Sequence, residues 1–150
     1  MSTRGCYIFK DTSGEYVVYK HGDNYPSGAA DSILGAFQYA WELPRFEANE
    51  FGAAFVVANK QPYVWTELNG RVNRSVGGEV RLCSREKMPW DIAYIYVIYA
   101  RGNPLAITSL CVDAHEAATG SGRGELGKKL FSGTFRDFHV WAKGNTGHGG

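Results

Sequence analysis

The chain opens with two runs of strand-forming residues on either side of a turn. Residues 6–10 and 16–21 are rich in aromatic and β-branched side chains, which favour strands. Between them, residues 11–14 read Asp-Thr-Ser-Gly, with Asp and Gly at the first and fourth positions of a β-turn. The pattern predicts a β-hairpin. Because side chains alternate along a strand, Tyr19 and His21 are expected on the same face.

Two segments with helical spacing follow this hairpin. Residues 22–28 are dense in turn-forming residues and predict a loop. A cap at residues 31–32 begins the first predicted helix, which ends at Leu43. Pro44 suits the first turn of a second helix, and that helix ends near residues 59–60.

The segments after the helices predict further strands. Residues 63–68 and 71–74 are short candidates around a tight turn, and residues 79–84 form another. The strongest pattern covers residues 91–100, where both faces are largely apolar, so we expect this strand at the centre of the sheet. A returning strand at 105–112 gives the main order β-β-α-α-β-β-β.

These elements predict an α+β fold in which an antiparallel sheet of about five strands packs on two consecutive helices. We assign residues 1–113 to this domain. Residues 114–143 form a Gly-rich C-terminal extension, including a short helix at 125–131, and its apolar side chains should dock on the domain or on a second copy. Residues 144–150 are expected to be a disordered tail.

The composition limits the range of partners. Of 150 residues, 44% are hydrophobic, which suits the core of one domain. The 16 basic residues nearly balance the 15 acidic ones, giving a net charge of +1. Bulk charge therefore does not favour binding to nucleic acid or to an anionic membrane.

The cysteines and the N-terminus indicate a cytoplasmic protein. Cys6, Cys83 and Cys111 are odd in number and contain no CxxC spacing, so a reducing compartment is the simplest interpretation. The first residues lack the apolar stretch of a signal peptide. No run approaches the roughly 18 apolar residues of a membrane span.

The densest group of polar residues lies where the first hairpin ends. His21 closes the second strand, Asp23 and Tyr25 follow in the loop, and Arg4 precedes the first strand. Histidine can serve as acid, base or ligand near neutral pH, and Asp23 could orient it. The structural alternative is that Asp23 bonds its own loop backbone and that Tyr25 covers the edge of the core.

A second candidate site is the junction between the predicted helices. Arg45 lies near a helix N-terminus, where backbone N–H groups and a guanidinium together could bind an anion. A surface ion pair of Arg45 with Glu42 or Glu47 is the alternative. The four histidines are scattered without metal-ligand spacing, and no phosphate loop, HExxH or GxSxG motif occurs. We therefore predict no metal site, no cofactor and no catalytic residue.

One stretch of the chain resembles a known sequence pattern. Residues 19–26 read Y-K-H-G-D-N-Y-P, which is similar to a Y-[KR]-H-x-D-G-Y-P signature in small proteins of unknown function from bacteriophages and prophages. The resemblance extends over residues 4 to about 100. It includes a first strand with Phe and Asp, an Ala-rich helix ending in Asn-Lys, and a later Asp-Ile-x-Tyr-x-Tyr strand, found here as Phe9, Asp11, residues 53–60 and residues 91–96. Asn24 replaces the usual Gly, and Asn also tolerates a left-handed backbone.

The resemblance implies a phage or prophage origin, in the host bacterial cytoplasm, without an established activity. Our first hypothesis is a binding protein that antagonises host defence, either by occluding a host protein or by sequestering an anionic nucleotide signal. For the nucleotide we expect contacts from Arg4, His21, Tyr25 and Arg45, with Asp23 orienting the loop. A homo-oligomer would help to build such a pocket.

Two alternatives remain open. One is a phosphodiester hydrolase with His21 as general base and Asp23 as its orienting partner. The other is a phage structural or DNA-handling accessory protein. The nucleotide hypothesis requires His21 and Arg45 to face one common recess.

Overall fold

A computed structural model describes residues 3–40, 45–60, 66–68, 71–73, 79–101, 109–118 and 124–144. These residues form eight strands and three α-helices. The strands are β1 (Gly5–Asp11), β2 (Gly14–Lys20), β3 (Thr66–Leu68), β4 (Arg71–Asn73), β5 (Val80–Cys83), β6 (Tyr94–Ala100), β7 (Leu110–Ala117) and β8 (Leu126–Thr134). The helices are α1 (Pro26–Ala36), α2 (Ala48–Asn59) and α3 (Phe135–Gly144), and a 3-10 turn covers Arg85–Lys87.

The main sheet has six strands in the order β5-β2-β1-β6-β7-β8, and β3 pairs with β4 in a separate two-stranded sheet. The α+β class is therefore confirmed. The predicted count of about five strands and two helices is wrong, since the sheet has six strands and a third helix packs on it. The first hairpin and the central position of β6 are confirmed.

The sheet is mixed rather than antiparallel. β1 and β6 are parallel neighbours, with Gly5 opposite Tyr94 and Phe9 opposite Ile98. A parallel pair needs a long crossover connection, and here α1 and α2 lie within the segment that joins the two strands. The prediction of a wholly antiparallel sheet failed because periodicity reveals strands but not their direction.

The helices cover one face of this sheet. Tyr7 and Phe9 of β1 point toward α2, where the Phe55 ring lies 4.4 Å from that of Tyr7 and 5.3 Å from that of Phe9, measured between ring centroids. Tyr96 of β6 meets Phe138 of α3 at 5.9 Å. All five side chains are fully buried, and they belong to one core with Ile33 of α1, so the three helices share this core.

The opposite face carries a second, smaller core without an α-helix. Cys6, Ile8 and Val97 point to this side, and Met88 from the segment between β5 and β6 covers them. Met88 is 1% exposed. Apolar packing on both faces explains why the sequence of β6 is apolar at nearly every position.

Several element boundaries differ from the sequence prediction. α1 begins at Pro26 rather than at residues 31–32, because proline at the first helical position lets the helix start within the predicted loop. α2 begins at Ala48, and residues 41–44 lie outside the described part of the chain. β7 runs to Ala117, so the predicted domain boundary at 113/114 falls inside a strand.

The C-terminal extension adds a strand where the sequence predicted a helix. Residues 126–131 of that predicted helix fall in β8, which pairs with β7 through two register shifts. At Gly127, a Cβ atom would lie 2.6 Å from the carbonyl oxygen of Glu116, so the two strands approach too closely for a side chain. The helix prediction is wrong because this segment becomes a strand by pairing with β7. Local propensity contains no information about such pairing.

Candidate binding pocket

The structure separates the predicted site residues between the two ends of the sheet. His21 follows the end of β2, where Lys20 pairs with Gly5 at the start of β1. Arg45 lies beside the tip of the hairpin, near Asp11 at the other end of β1. Seven strand residues separate these ends by roughly 20 Å. The prediction that His21 and Arg45 face one recess is therefore wrong.

The loop after β2 is built around a fully buried amide. The Asn24 side chain accepts a hydrogen bond from the Tyr7 hydroxyl at 2.6 Å. Its Nδ2 donates to the carbonyl oxygens of Thr3 and Lys20, both at 2.8 Å. The Tyr96 hydroxyl donates to the Asn24 backbone oxygen at 2.7 Å. Asn24 thus ties the loop to two central strands.

The other loop residues shape the start of α1. Asp23, rather than Asn24, takes the left-handed conformation, with φ of 64°. A Cβ atom on Gly28 would lie 2.2 Å from the backbone oxygen of Asp23, so the loop turns back tightly against the helix. Tyr25 is the N-cap residue of α1, and its ring meets that of Tyr94 at 5.8 Å. These contacts give Tyr25 a structural place at the start of α1 and set Asp23 against the first turn of that helix.

His21 belongs to a network on the helix-free face. Its Nδ1 lies 2.8 Å from the Tyr19 hydroxyl and 3.9 Å from a carboxylate oxygen of Glu79. Glu79 also pairs with Arg81, whose guanidinium carbon lies 4.4 Å from the centroid of the Tyr19 ring. Among the described residues, the polar partners of His21 are thus Tyr19 and Glu79, not Asp23.

Arg4 joins the same end of the sheet but has its own acidic partner. Its guanidinium lies 2.8 Å from a carboxylate oxygen of Asp91. Burial raises the pKa of the Tyr19 phenol, although hydrogen bonding to Arg4 opposes this shift. The structure therefore brings Arg4 and His21 together around Tyr19, with the arginine charges here already paired with carboxylates.

The hydrolase alternative lacks the contact on which it depended. Asp23 lies against the first turn of α1, and His21 is oriented by Tyr19 instead. A general base needs a partner that orients the ring and a reacting group within hydrogen-bond reach. The hydrolase therefore stays a prediction, and Asp23 does not fill the orienting role that it requires.

At the other end of the sheet, the structure forms a cavity of about 850 Å³ that we call the hairpin pocket. Its walls are the hairpin tip at residues 10–13, residues 45–47 with Asn49 at the start of α2, and residues 99–100 at the end of β6. Because β1 and β6 are parallel, both carboxyl ends open onto this cavity. Crevices at the carboxyl ends of parallel strands are common ligand sites.

Asp11 holds the pocket wall together. Its Oδ1 accepts hydrogen bonds from the backbone N–H of Ser13 at 2.8 Å and from the Ser13 hydroxyl at 2.6 Å. Its Oδ2 accepts from the N–H of Ala48 at 2.9 Å. Asp11 therefore caps α2 from a distant strand, because the N-cap residue Glu47 makes no side-chain cap of its own.

These hydrogen bonds outweigh burial in setting the ionisation of Asp11. Burial acts to raise the pKa of the carboxyl group, but donors from Ser13, Ala48 and Gly14 lower it below the ordinary value of 3.8. Asp11 is thus an ionised carboxylate at neutral pH, and both of its oxygens are engaged by donors within the wall.

The basic side chains of the pocket remain accessible. Lys10 is exposed, and the Arg45 side chain keeps 57% of its surface in solvent. Arg45 Nε contacts Glu47 at 3.2 Å, as the surface ion-pair alternative predicted. An exposed pair of this kind contributes at most about 1 kcal/mol, so a ligand can compete for the guanidinium.

Sequence reasoning found only Arg45 among the lining residues. Lys10 and Tyr99 lie on different strands, and nothing in their local patterns links them. The turn of residues 11–14 was recognised, but only as a turn. The parallel pairing of β1 with β6 brings Lys10 and Tyr99 together, and the local sequence patterns do not reveal this pairing.

We expect Asp11→Asn to lower stability at neutral pH and to have little effect in acid. The native carboxyl group has a lowered pKa, so its contribution is present above the unfolded value and is lost as the pH falls through the native value. Urea unfolding of both proteins at pH 7 and at pH 2.5 would measure this. A stability difference that does not shrink in acid would contradict the role of the ionised group.

Comparisons with known proteins give no family for this chain: no family model, curated protein or solved structure matches it. Among the residues that the structure describes, no group of three histidine, cysteine, aspartate or glutamate side chains could hold a metal ion. No helix in the described ranges is long and apolar enough to cross a membrane.

Proposed function

We propose that the protein is a non-enzymatic binding protein that captures a small anionic ligand, of nucleotide size, in the hairpin pocket. In this proposal a bacteriophage or prophage uses the protein to sequester a signal of host defence. The observation that carries the proposal is the cavity of about 850 Å³ with two accessible basic side chains, Lys10 and Arg45, in its wall.

The size and position of the cavity support a small-molecule ligand. Pockets for such ligands have volumes of about 300–1,000 Å³ and combine apolar surface with a few polar groups. Here Phe46 and Ala100 supply apolar surface, while Asn49 and the hydroxyl groups of Thr12 and Ser13 supply hydrogen-bonding groups. A nucleotide offers matching chemistry in its ring, its sugar hydroxyls and its phosphate.

The formal charges of the wall balance, but its basic groups are more accessible to a ligand than the Asp11 carboxylate. Among the described lining residues, Lys10 and Arg45 oppose Asp11 and Glu47. The Asp11 carboxylate is satisfied by three hydrogen bonds within the wall. Among the described lining residues, Glu47 is then the carboxylate that a ligand would have to displace from Arg45. Arg45 can hold a phosphate through two parallel hydrogen bonds.

The His21 end of the sheet supports ligand binding less well. Arg4 and Arg81 each pair with a carboxylate, from Asp91 and Glu79 respectively. A ligand phosphate there would have to replace both pairs. We therefore assign the ligand to the hairpin pocket and keep His21 outside it.

The test measures ligand binding by thermal shift and calorimetry with a panel of mono- and dinucleotides. We expect at least one to raise the melting temperature. Arg45→Gln should weaken its binding about 10- to 100-fold, because hydrogen bonds to a charged group contribute roughly 1.5–3 kcal/mol. Glu47→Gln should strengthen binding, since it removes the competing carboxylate.

Two comparisons make this test decisive. Arg136→Gln changes an exposed arginine on α3 and serves as the matched control. Equal losses in the Arg45 and Arg136 variants, or a loss confined to His21→Gln, would overturn the assignment to the hairpin pocket. Recovery of intact nucleotide from the denatured complex would distinguish sequestration from hydrolysis.

A further inference from the structure

The residue that follows β6 is a basic side chain beside the hairpin pocket. The backbone N–H of Arg101 donates to the carbonyl oxygen of Ser109 at 3.2 Å, which fixes the position of its main chain. Its side chain is exposed. Arg101 comes two positions after Tyr99, a residue of the pocket wall.

A chain of hydrogen bonds orients the Arg101 guanidinium. One guanidinium nitrogen donates to the Tyr99 hydroxyl at 3.1 Å. The Tyr99 hydroxyl donates a hydrogen bond to a carboxylate oxygen of Asp113 at 2.9 Å, and the hydroxyl of Ser132 donates to the same oxygen at 2.6 Å. Because Tyr99 donates to Asp113, its oxygen is available as an acceptor for Arg101.

The pKa shifts of Tyr99 and Arg101 agree with Tyr99 as the donor to Asp113 and the acceptor from Arg101. Burial, followed by the hydrogen bond to Asp113, raises the pKa of the Tyr99 phenol, which therefore stays protonated. The hydrogen bond to Tyr99 in turn raises the pKa of Arg101. Among the ion pairs of the described residues, none includes Arg101, in contrast to Arg4, Arg45 and Arg81.

The strand register places a second basic side chain on the same side. Phe9 is opposite Ile98 in the parallel pair β1/β6. The next residues, Lys10 and Tyr99, therefore lie beside each other and share the helix-free face. Lys10 and Arg101 thus flank Tyr99, whereas Arg45 comes shortly before α2, one of the helices that cover the opposite face of the sheet.

We infer that Arg101 is a third basic contact of the hairpin pocket, so that the site binds ligands with two phosphate groups more tightly than ligands with one. This inference rests on the proposed function. Arg45 would hold one phosphate on the helix side, and Lys10 with Arg101 would hold the other across the end of the sheet. Tyr99 is the positioning residue, since it acts through Arg101.

Inorganic phosphate and pyrophosphate are the probes that test this inference, by calorimetry at fixed ionic strength. We expect the full chain to bind pyrophosphate at least about 10-fold more tightly than phosphate, in line with the contribution of a charged hydrogen bond. Arg101→Gln should remove this preference, because it leaves Lys10 alone to hold the second phosphate group. Tyr99→Phe should reduce the preference about fivefold and leave all three basic groups in place.

The outcomes separate the inference from the proposed function. Pyrophosphate binding that is lost in Arg45→Gln but unchanged in Arg101→Gln would overturn the inference and leave the pocket assignment intact. Equal binding of phosphate and pyrophosphate would also overturn the inference. Equal losses in Arg101→Gln and in the exposed control Arg136→Gln would show that only total charge matters and would overturn it as well.

Discussion

Asn24→Ala should lower the free energy of unfolding by about 3–5 kcal/mol. The substitution removes the acceptor for the Tyr7 hydroxyl and the donor to the carbonyl oxygens of Thr3 and Lys20. Tyr7 is fully buried, and water cannot replace its lost partner without entering the core. Equilibrium unfolding in urea, followed by fluorescence, measures the loss.

Two matched variants calibrate this prediction. Tyr7→Phe removes one hydrogen bond of the network and should cost about 1–2 kcal/mol. Asn59→Ala removes two side-chain hydrogen bonds, to Ser32 and Phe55, at a half-buried position and should cost about 1 kcal/mol. A loss for Asn24→Ala no larger than that for Asn59→Ala would show that the buried network does not stabilise the loop.

The same substitution at two glycines of α1 should have opposite effects. A Cβ atom on Gly28 would lie 2.2 Å from the backbone oxygen of Asp23, a contact that requires the backbone to move. Gly28→Ala should therefore destabilise the protein by about 3 kcal/mol. A Cβ atom on Gly35 would meet only the Cβ of Ala58, at an ordinary 3.5 Å. Gly35→Ala should stabilise the protein by about 0.5 kcal/mol, because alanine favours the helix.

Thermal unfolding of the two glycine variants tests this contrast directly. Helix propensity alone predicts that both variants gain stability, since both positions are helical. Only the tight turn at Asp23 predicts a loss for Gly28→Ala. A gain in both proteins would therefore show that the loop after β2 does not press on α1 as the structure describes.

The sequence allowed the first hairpin, the central strand and the end of α2 to be predicted, because each has a local pattern that its surroundings reinforce. In β6, both faces are apolar since helices cover one side and Met88 covers the other. β8 has no comparable pattern. Its strand state comes from pairing with β7, which a window of neighbouring residues does not contain.

The candidate site could be predicted only in part, for a related reason. The polar residues of the Y-K-H-G-D-N-Y-P stretch suggested ligand chemistry, whereas Asn24 and Asp23 mainly fix the course of the loop. Arg45 was found because it is basic and near a helix start. Its neighbours Lys10 and Tyr99 required the direction of β6, which depends on the crossover and not on composition.

The parallel pairing of β1 with β6 also constrains how the molecule assembles. Ile8 and Val97, which are opposite each other, are 89 residues apart in the chain. Closing so large a loop carries an entropy cost that local hairpins avoid, and such distant contacts slow folding. The β1–β2 hairpin can form soon after synthesis, but its inner edge stays open until β6 leaves the ribosome. The walls of the hairpin pocket therefore come together only late in folding.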